Sequence, residues 1–168
     1  IVEPGIQAYK GKYVLPTDLR SSSTKAANNF EFKEERAAAS FVLYPQPVGI
    51  QAEFNVGKGP RYNPARDSIE TRNLSGGYVT AYYKAILKNK MVLLPFSRAQ
   101  VYKGGKKHEL DARAYDVKEV ETGLEWQLNK YLEITSSYVF SERRFEDSKA
   151  KSNLQKGRFL RIQVQLNF

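Results

Sequence analysis

The C-terminal segment of the sequence, residues 156–168, alternates strictly between apolar and polar side chains. Successive side chains of a β-strand point to opposite faces, so this pattern predicts an extended strand with one apolar face and one wet face. An aromatic residue stands at the last position, with no turn after it. The apolar positions are Leu160, Ile162, Val164, Leu166 and Phe168.

The same alternation recurs along the chain and predicts about eight strands, each near the 9–11 residues that a tilted membrane-spanning strand needs. In residues 48–57, for example, Ile50 and Phe54 lie on one face while Gln51 and Glu53 lie on the other. No run approaches the roughly 18 consecutive apolar residues that a transmembrane helix requires. The sequence therefore predicts an all-β protein and excludes a helical membrane protein.

The connections between the predicted strands fall into two groups. Long loops alternate with short turns along the chain, which is typical of transmembrane β-barrels with long external loops and short periplasmic turns. We therefore predict that residues 1–168 form a single segment of an antiparallel, up-and-down transmembrane β-barrel. The long loops are residues 16–28, 58–71, 103–111 and 143–155, and the short turns are 45–47, 88–90 and 129–130.

The terminal strand resembles the closing strand of bacterial outer-membrane β-barrels, in which a C-terminal Phe and the alternating apolar residues before it serve as the assembly signal. The resemblance implies that the apolar residues from Leu160 to Phe168 are read by the outer-membrane assembly machinery. The sorting of long loops and short turns predicts that the strand runs from the outside to the periplasm.

Four further segments, residues 43–53, 75–78, 104–107 and 143–147, resemble the phosphate-selective porins O and P of Gram-negative bacteria. The resemblance implies a bacterial outer-membrane barrel of about sixteen strands, often a homotrimer, that passes phosphate or polyphosphate. Because only about eight strands are predicted, we expect the chain to be the C-terminal half of such a porin. The residues of the constriction are then expected in an N-terminal half.

The net charge of +9 indicates an anionic partner, such as small anions or lipid headgroups. Strand parity places Lys84, Arg98 and Arg161 on the face toward the lumen, where cations confer anion selectivity. Arg98 is the best placed, in mid-strand near Gln100. The alternative is that these cations pair with carboxylates across the wall, namely those of Glu53, Glu119, Glu121 and Glu125.

Seven other cations fall in the predicted external loops. They would either steer phosphate toward the pore mouth, or solvate the loops and bind phosphates of lipopolysaccharide in the surrounding lipid. The two roles stay open on the sequence alone. These residues are Lys58, Arg61, Lys103, Lys106, Lys107, Arg143 and Arg144.

The sequence gives little support to an enzyme. It has no cysteine, and its single histidine, His108, has no companion at a spacing that suggests a nucleophile or a second acid. The glycines around Lys58 and Lys106 complete no Walker motif. We therefore predict no catalytic residues, no cofactor and no metal.

Two alternatives to a porin are considered. One is a small, closed, eight-stranded outer-membrane barrel with a structural or lipopolysaccharide-binding role. The other is a soluble basic β-protein that binds nucleic acid, which the sorted loops and long strands disfavour. Nucleic acid is accordingly not expected as a partner.

Overall fold

The computed structural model describes residues 1–26, 28–145 and 153–167. Phe168, the last residue of the predicted assembly signal, lies outside the described residues. Eight long strands make up most of the structure: β1 (Val2–Val14), β3 (Glu31–Leu43), β4 (Val48–Asn63), β5 (Ser68–Tyr83), β7 (Val92–Gly105), β8 (Ala114–Gln127), β9 (Leu132–Phe145) and β10 (Leu154–Leu166).

Short elements occupy the connections. Two strands of two residues each, β2 (Lys25–Ala26) and β6 (Ala85–Ile86), pair with β5 and β7 respectively. In the described ranges, no helix is long and apolar enough to cross a membrane. The 3-10 turns are Thr17–Leu19, Asn28–Phe30, Lys88–Lys90 and Leu110–Ala112.

The long strands form one antiparallel meander in the order β1-β3-β4-β5-β7-β8-β9-β10. Each strand pairs with the long strand before it in the sequence, which confirms the predicted all-β, up-and-down architecture. Within the described residues the sheet is open, because β1 and β10 lie at its two edges and do not pair with each other. The described residues therefore do not form the small closed barrel considered above.

The two faces of the sheet differ as the alternation predicts. Phe54 and Val79 point outward and are 55% and 46% exposed, whereas Glu53 and Thr80 on the opposite face are half-buried. Ile162 of β10 also points outward and is 66% exposed. The outward face is thus an apolar band, while the inner face carries the polar side chains.

The predicted external loop 58–71 is wrong. β4 and β5 are each 16 residues long and are joined by a turn at residues 64–67. The dipeptide Gly59-Pro60 is typical of a turn, but Pro60 lies within β4, where the pairing with β3 has already ended at Lys58, opposite Glu35. Beyond that point β4 pairs only with β5, and a proline is tolerated where one side of the strand is unpaired.

A hydrophobic core closes the end of the sheet that carries the long connections. Its buried members are Leu15, Phe32, Ile69 and Ala112, which come from four separate parts of the chain. Five half-buried side chains pack around them. These are Tyr13, Leu19, Ala26, Phe30 and Tyr62.

The segment at residues 106–113 is fastened into this core. Asp111 is buried, and its Oδ1 accepts a hydrogen bond of 2.8 Å from the backbone N–H of Ser21. Asp111 and Ala112 have φ angles of +54° and +48°, a left-handed conformation that costs about 1 kcal/mol or more per residue without glycine. Burial of Ala112 and the bond to Asp111 hold this conformation in place.

We call the end of the sheet that carries the long connections the outer end. Truncation of its core should destabilise this whole end. We expect Phe32→Ala to cost about 3–5 kcal/mol, because it removes a buried aromatic ring and leaves a cavity. Hydrogen–deuterium exchange on the full-length protein in detergent should then quicken in residues 15–26 and 106–113. Phe54→Ala, on the exposed outward face, is the matched control and should leave both segments protected. Equal exchange in the two variants would contradict this role of the core.

Candidate functional site

The inner face of the sheet carries more carboxylates than cations along its middle. By strand parity, Arg98 and Arg161 are its two cations between the short turns and the outer end. In the described residues, the inner carboxylates of this part of the wall are Glu3, Glu53, Glu119, Glu121, Glu125 and Glu133. The electrostatics of the wall therefore depend on which cations are already paired.

Arg98 is not neutralised by an acid. Its guanidinium lies 4.3 Å from the ring centroid of Tyr78, in a cation–π contact. Within the described part of the chain it forms no ion pair, and its Nε is buried without a hydrogen-bond partner. Glu121 lies opposite Arg98 in the register of β7 and β8, but its carboxylate is bonded elsewhere. Arg98 thus presents a partly desolvated charge at the wall.

Arg161 pairs with a carboxylate across the wall, which was the alternative prediction for the inner cations. Its Nη1 lies 3.4 Å from Oε1 of Glu121, and the same oxygen accepts a 2.6 Å hydrogen bond from the hydroxyl of Ser137. The side chain of Glu121 is 12% exposed and that of Arg161 is 50% exposed. Arg161 therefore compensates a shielded carboxylate while half of its side chain stays in contact with solvent.

Lys84 stands apart from the other two predicted pore-lining cations. It lies in the break between β5 and β6, at the short-turn end, and its backbone N–H donates a 2.7 Å hydrogen bond to the carbonyl of Pro47. The break lies near Pro95 of β7, which has no N–H to donate to a ladder. The predicted placement of Lys84 within a continuous strand is therefore wrong.

A buried carboxylate joins three elements at the outer end of the inner face. Nζ of Lys107 lies 2.8 Å from both carboxylate oxygens of Glu34, and the hydroxyl of Tyr9 donates a 2.6 Å hydrogen bond to it. Arg36 adds an ion pair of 3.2 Å. The hydroxyl of Tyr13 donates to the backbone carbonyl of Lys107 at 3.0 Å. These contacts tie the loop at 106–113 to β1 and β3.

Glu34 lies above the apolar band, since its neighbours Lys33 and Glu35 occupy the outward face at that level. Burial acts to raise the pKa of Glu34. The hydrogen bonds from Lys107 and Tyr9 and the nearby Arg36 outweigh burial and hold the pKa below its ordinary value. Glu34 is therefore an anion, and its charge is shared between two cations.

A second carboxylate lies beside the first group. Glu109 accepts a hydrogen bond of 3.1 Å from Nη2 of Arg143 and another from the hydroxyl of Tyr115, and it forms an ion pair of 3.7 Å with Nζ of Lys106. The ring of Tyr115 lies 3.9 Å from the guanidinium of Arg143 and 4.8 Å from Nζ of Lys106. The ring of Tyr115 therefore stabilises both cations by cation–π contacts.

These groups together form what we call the mouth cluster, with four cations against two carboxylates. A groove of about 540 Å³ is lined by Arg36, Lys106, Lys107 and Glu109 and is bordered by Tyr9 and His108. His108 is exposed and meets Tyr13 edge-to-face, with ring centroids 6.3 Å apart. The members of the mouth cluster are Arg36, Lys106, Lys107, Arg143, Glu34 and Glu109.

Five of the seven cations assigned to external loops lie in strands instead. Lys58 and Arg61 belong to β4, Lys103 to β7, and Arg143 and Arg144 to β9. The strands continue beyond the apolar band, so charged residues at their ends were mistaken for loops. Lys106 and Lys107 do lie in a loop, the connection between β7 and β8.

Sequence reasoning missed Glu34, Arg36 and Tyr9, which were assigned no role. The alternation of side chains along β3 could have indicated Glu34 and Arg36. Both residues share one face of the strand with the apolar Phe32. Among the described side chains, no group of three or more His, Asp or Glu is arranged to hold a metal ion.

A family model described as phosphate-selective porin O and P matches residues 10–168. The chain belongs to the phosphate-selective porin O and P family. The match extends to the first strand, whereas the quoted sequence segments begin only near residue 43. No curated protein and no solved structure is significantly similar to this porin. The family is one of channels, which accords with a sheet whose polar face is lined by charges.

Proposed function

We propose that this porin forms a water-filled, anion-preferring channel for solutes of the phosphate and polyphosphate type in the outer membrane of a Gram-negative bacterium. The observation that carries the proposal is the mouth cluster, which holds two more positive than negative formal charges on the inner face. A groove with a net positive charge concentrates anionic solutes.

The contacts at the mouth suit a transit site rather than a tight binding site. Lys107 and Arg36 both pair with Glu34, and Arg143 and Lys106 both pair with Glu109. Each carboxylate therefore neutralises only part of the positive charge of its two cations. Conduction requires binding that is favourable enough for entry and weak enough for release. Arg98 offers the next positive charge further along the wall.

The carboxylates of the middle wall favour a second candidate, a pore that prefers cations. Glu53, Glu119 and Glu125 have no arginine or lysine within ion-pair distance in the described residues, while Glu121 is paired. The two candidates predict reversal potentials of opposite sign, so one measurement separates them.

Reconstitution of the full-length porin in planar bilayers under a KCl gradient should give a reversal potential of the sign set by chloride. Phosphate added at millimolar concentration should reduce the chloride current, because both anions use the mouth cluster. A cation-preferring reversal potential would support the second candidate instead. Absence of conductance would contradict both candidates.

A further inference from the structure

The outward face carries its own set of cations, directly above the apolar band. Lys58 follows Val56 by two residues in β4, and Lys103 follows Val101 by two residues in β7. Each lysine therefore shares a face with an exposed apolar side chain below it. These two lysines point away from the inner face, on the side opposite to the mouth cluster.

A groove of about 760 Å³ lies at this level, with Lys10 and Lys58 one rung above Ala37 and Val56, and with Lys103 on the same rung as Val56. The register explains the arrangement, because Lys10 and Lys58 both flank Glu35, and Ser75 stands between Val56 and Lys103. Lys10 forms an ion pair of 3.5 Å with Glu35. By formal charge, three lysines line the outward side of the groove against the single carboxylate of Glu35.

An apolar groove of about 430 Å³ continues from the first one toward the short turns. Its outward lining includes Ala39, Phe54, Val79 and Ala99, one or two rungs below Val56 and Lys103. Alanines beside larger side chains leave a depression along the sheet. Cations at one end of a narrow apolar groove are complementary to a lipid that has an anionic headgroup and an acyl chain.

A similar arrangement occurs a second time, with Lys118 one rung nearer the short turns than Lys103. A groove of about 570 Å³ places Lys118 and Lys156 one rung above Val120 and Phe140, with Arg158 on the same rung as Phe140. Glu142 pairs with Lys156 at 2.9 Å, so this groove also keeps more cations than carboxylates. Repetition on neighbouring strands argues for a continuous layer of ligands around the outward face.

We propose that these grooves bind a phosphorylated saccharolipid of the outer leaflet, of the lipid A type, with its phosphates on Lys58 and Lys103 and an acyl chain over Ala39 and Ala99. Ammonium–phosphate contacts of this kind are charge-assisted and favour anionic lipids near the membrane surface. A second copy of the chain fits less well, because it would bring like charges together. The proposal rests on the outer-membrane setting of the proposed function.

The test is native mass spectrometry of the full-length porin in detergent, titrated with bisphosphorylated lipid A. Reversing two charges in the Lys58→Glu/Lys103→Glu double variant should weaken lipid A binding at least about tenfold. Ala99→Leu, which fills the apolar groove with its charges intact, should weaken it several-fold. Lys88→Glu, at the opposite end of the sheet, is the matched control and should bind like the unchanged porin.

Four results would overturn the proposal. These are unchanged binding in the double variant, an equal loss in Lys88→Glu, displacement of lipid A by millimolar inorganic phosphate, and dissociation of an oligomer in place of lost lipid. The third would assign the cations to free phosphate, and the fourth to contact between copies. Lipid binding is read without any conductance measurement, so the reversal potential tests the pore separately.

Discussion

Replacing Arg98 with glutamate is expected to raise the cation-to-anion permeability ratio of the porin several-fold. The reversal potential should shift accordingly toward the value set by cations. The variant removes the guanidinium that lies 4.3 Å from the Tyr78 ring and places a carboxylate opposite Glu121. Glu121 is already engaged by Arg161 and Ser137, so the new charge would be uncompensated. Reversal potentials in a KCl gradient give the measurement directly.

Two companion variants test whether the effect depends on the charge at position 98 or only on the net charge of the protein. Arg98→Gln removes the positive charge without adding a negative one and should give about half of the shift. Lys33→Glu makes the same charge reversal on the outward face of β3 and should leave the reversal potential unchanged. If Arg98→Glu keeps the original selectivity, Arg98 serves the packing of the wall and not the permeating ion.

Replacing Glu34 with glutamine is expected to release the loop at 106–113 from β3. The glutamine keeps the shape but loses the charge that binds Lys107 and Arg36, a loss of about 2–3 kcal/mol for a nearly buried, charge-assisted pair. Trypsin should then cleave after Lys106 or Lys107 about 30-fold faster or more, since local opening governs cleavage. The single-channel conductance should rise as the loop leaves the inner face.

Glu35→Gln is the matched control for this experiment. Glu35 is the next residue of β3, but it lies on the outward face and pairs with Lys10 across a more exposed site. Cleavage of the loop should stay at the original rate in that variant. Similar cleavage rates for the two glutamine variants would show that the Glu34 contacts do not hold the loop.

Much of the fold follows from side-chain alternation. Ile162, Val164 and Leu166 lie outward in β10 as predicted, because an apolar band facing lipid imposes a period of two on every strand. The errors lie where that constraint ends. Beyond the band, strands continue with polar residues on both faces, and prolines such as Pro60 are tolerated at unpaired edges. Local sequence then gives no sign of where a strand stops.

The site was only partly predictable for a related reason. Parity placed Arg98 and Arg161 on the inner face, and the structure brings both to the neighbourhood of Glu121. It could not show that Arg161 is paired and Arg98 is not, because that depends on the register of three strands. The contact between Lys107 and Glu34 spans 73 residues, and no local pattern marks it. The role of each predicted cation in conduction stays a prediction.

The outer-end core has a consequence for the order in which the protein assembles. The meander can grow by one hairpin at a time, because each long strand pairs with the one before it. The core cannot, since Ala112 reaches Leu15 and Phe32 only after β7 has been added. Until then Leu15, Phe32 and Ile69 are without this partner, and closing so long a loop costs entropy. We therefore expect the core to close only after β7 has joined the sheet, later than the pairing of the strands before it.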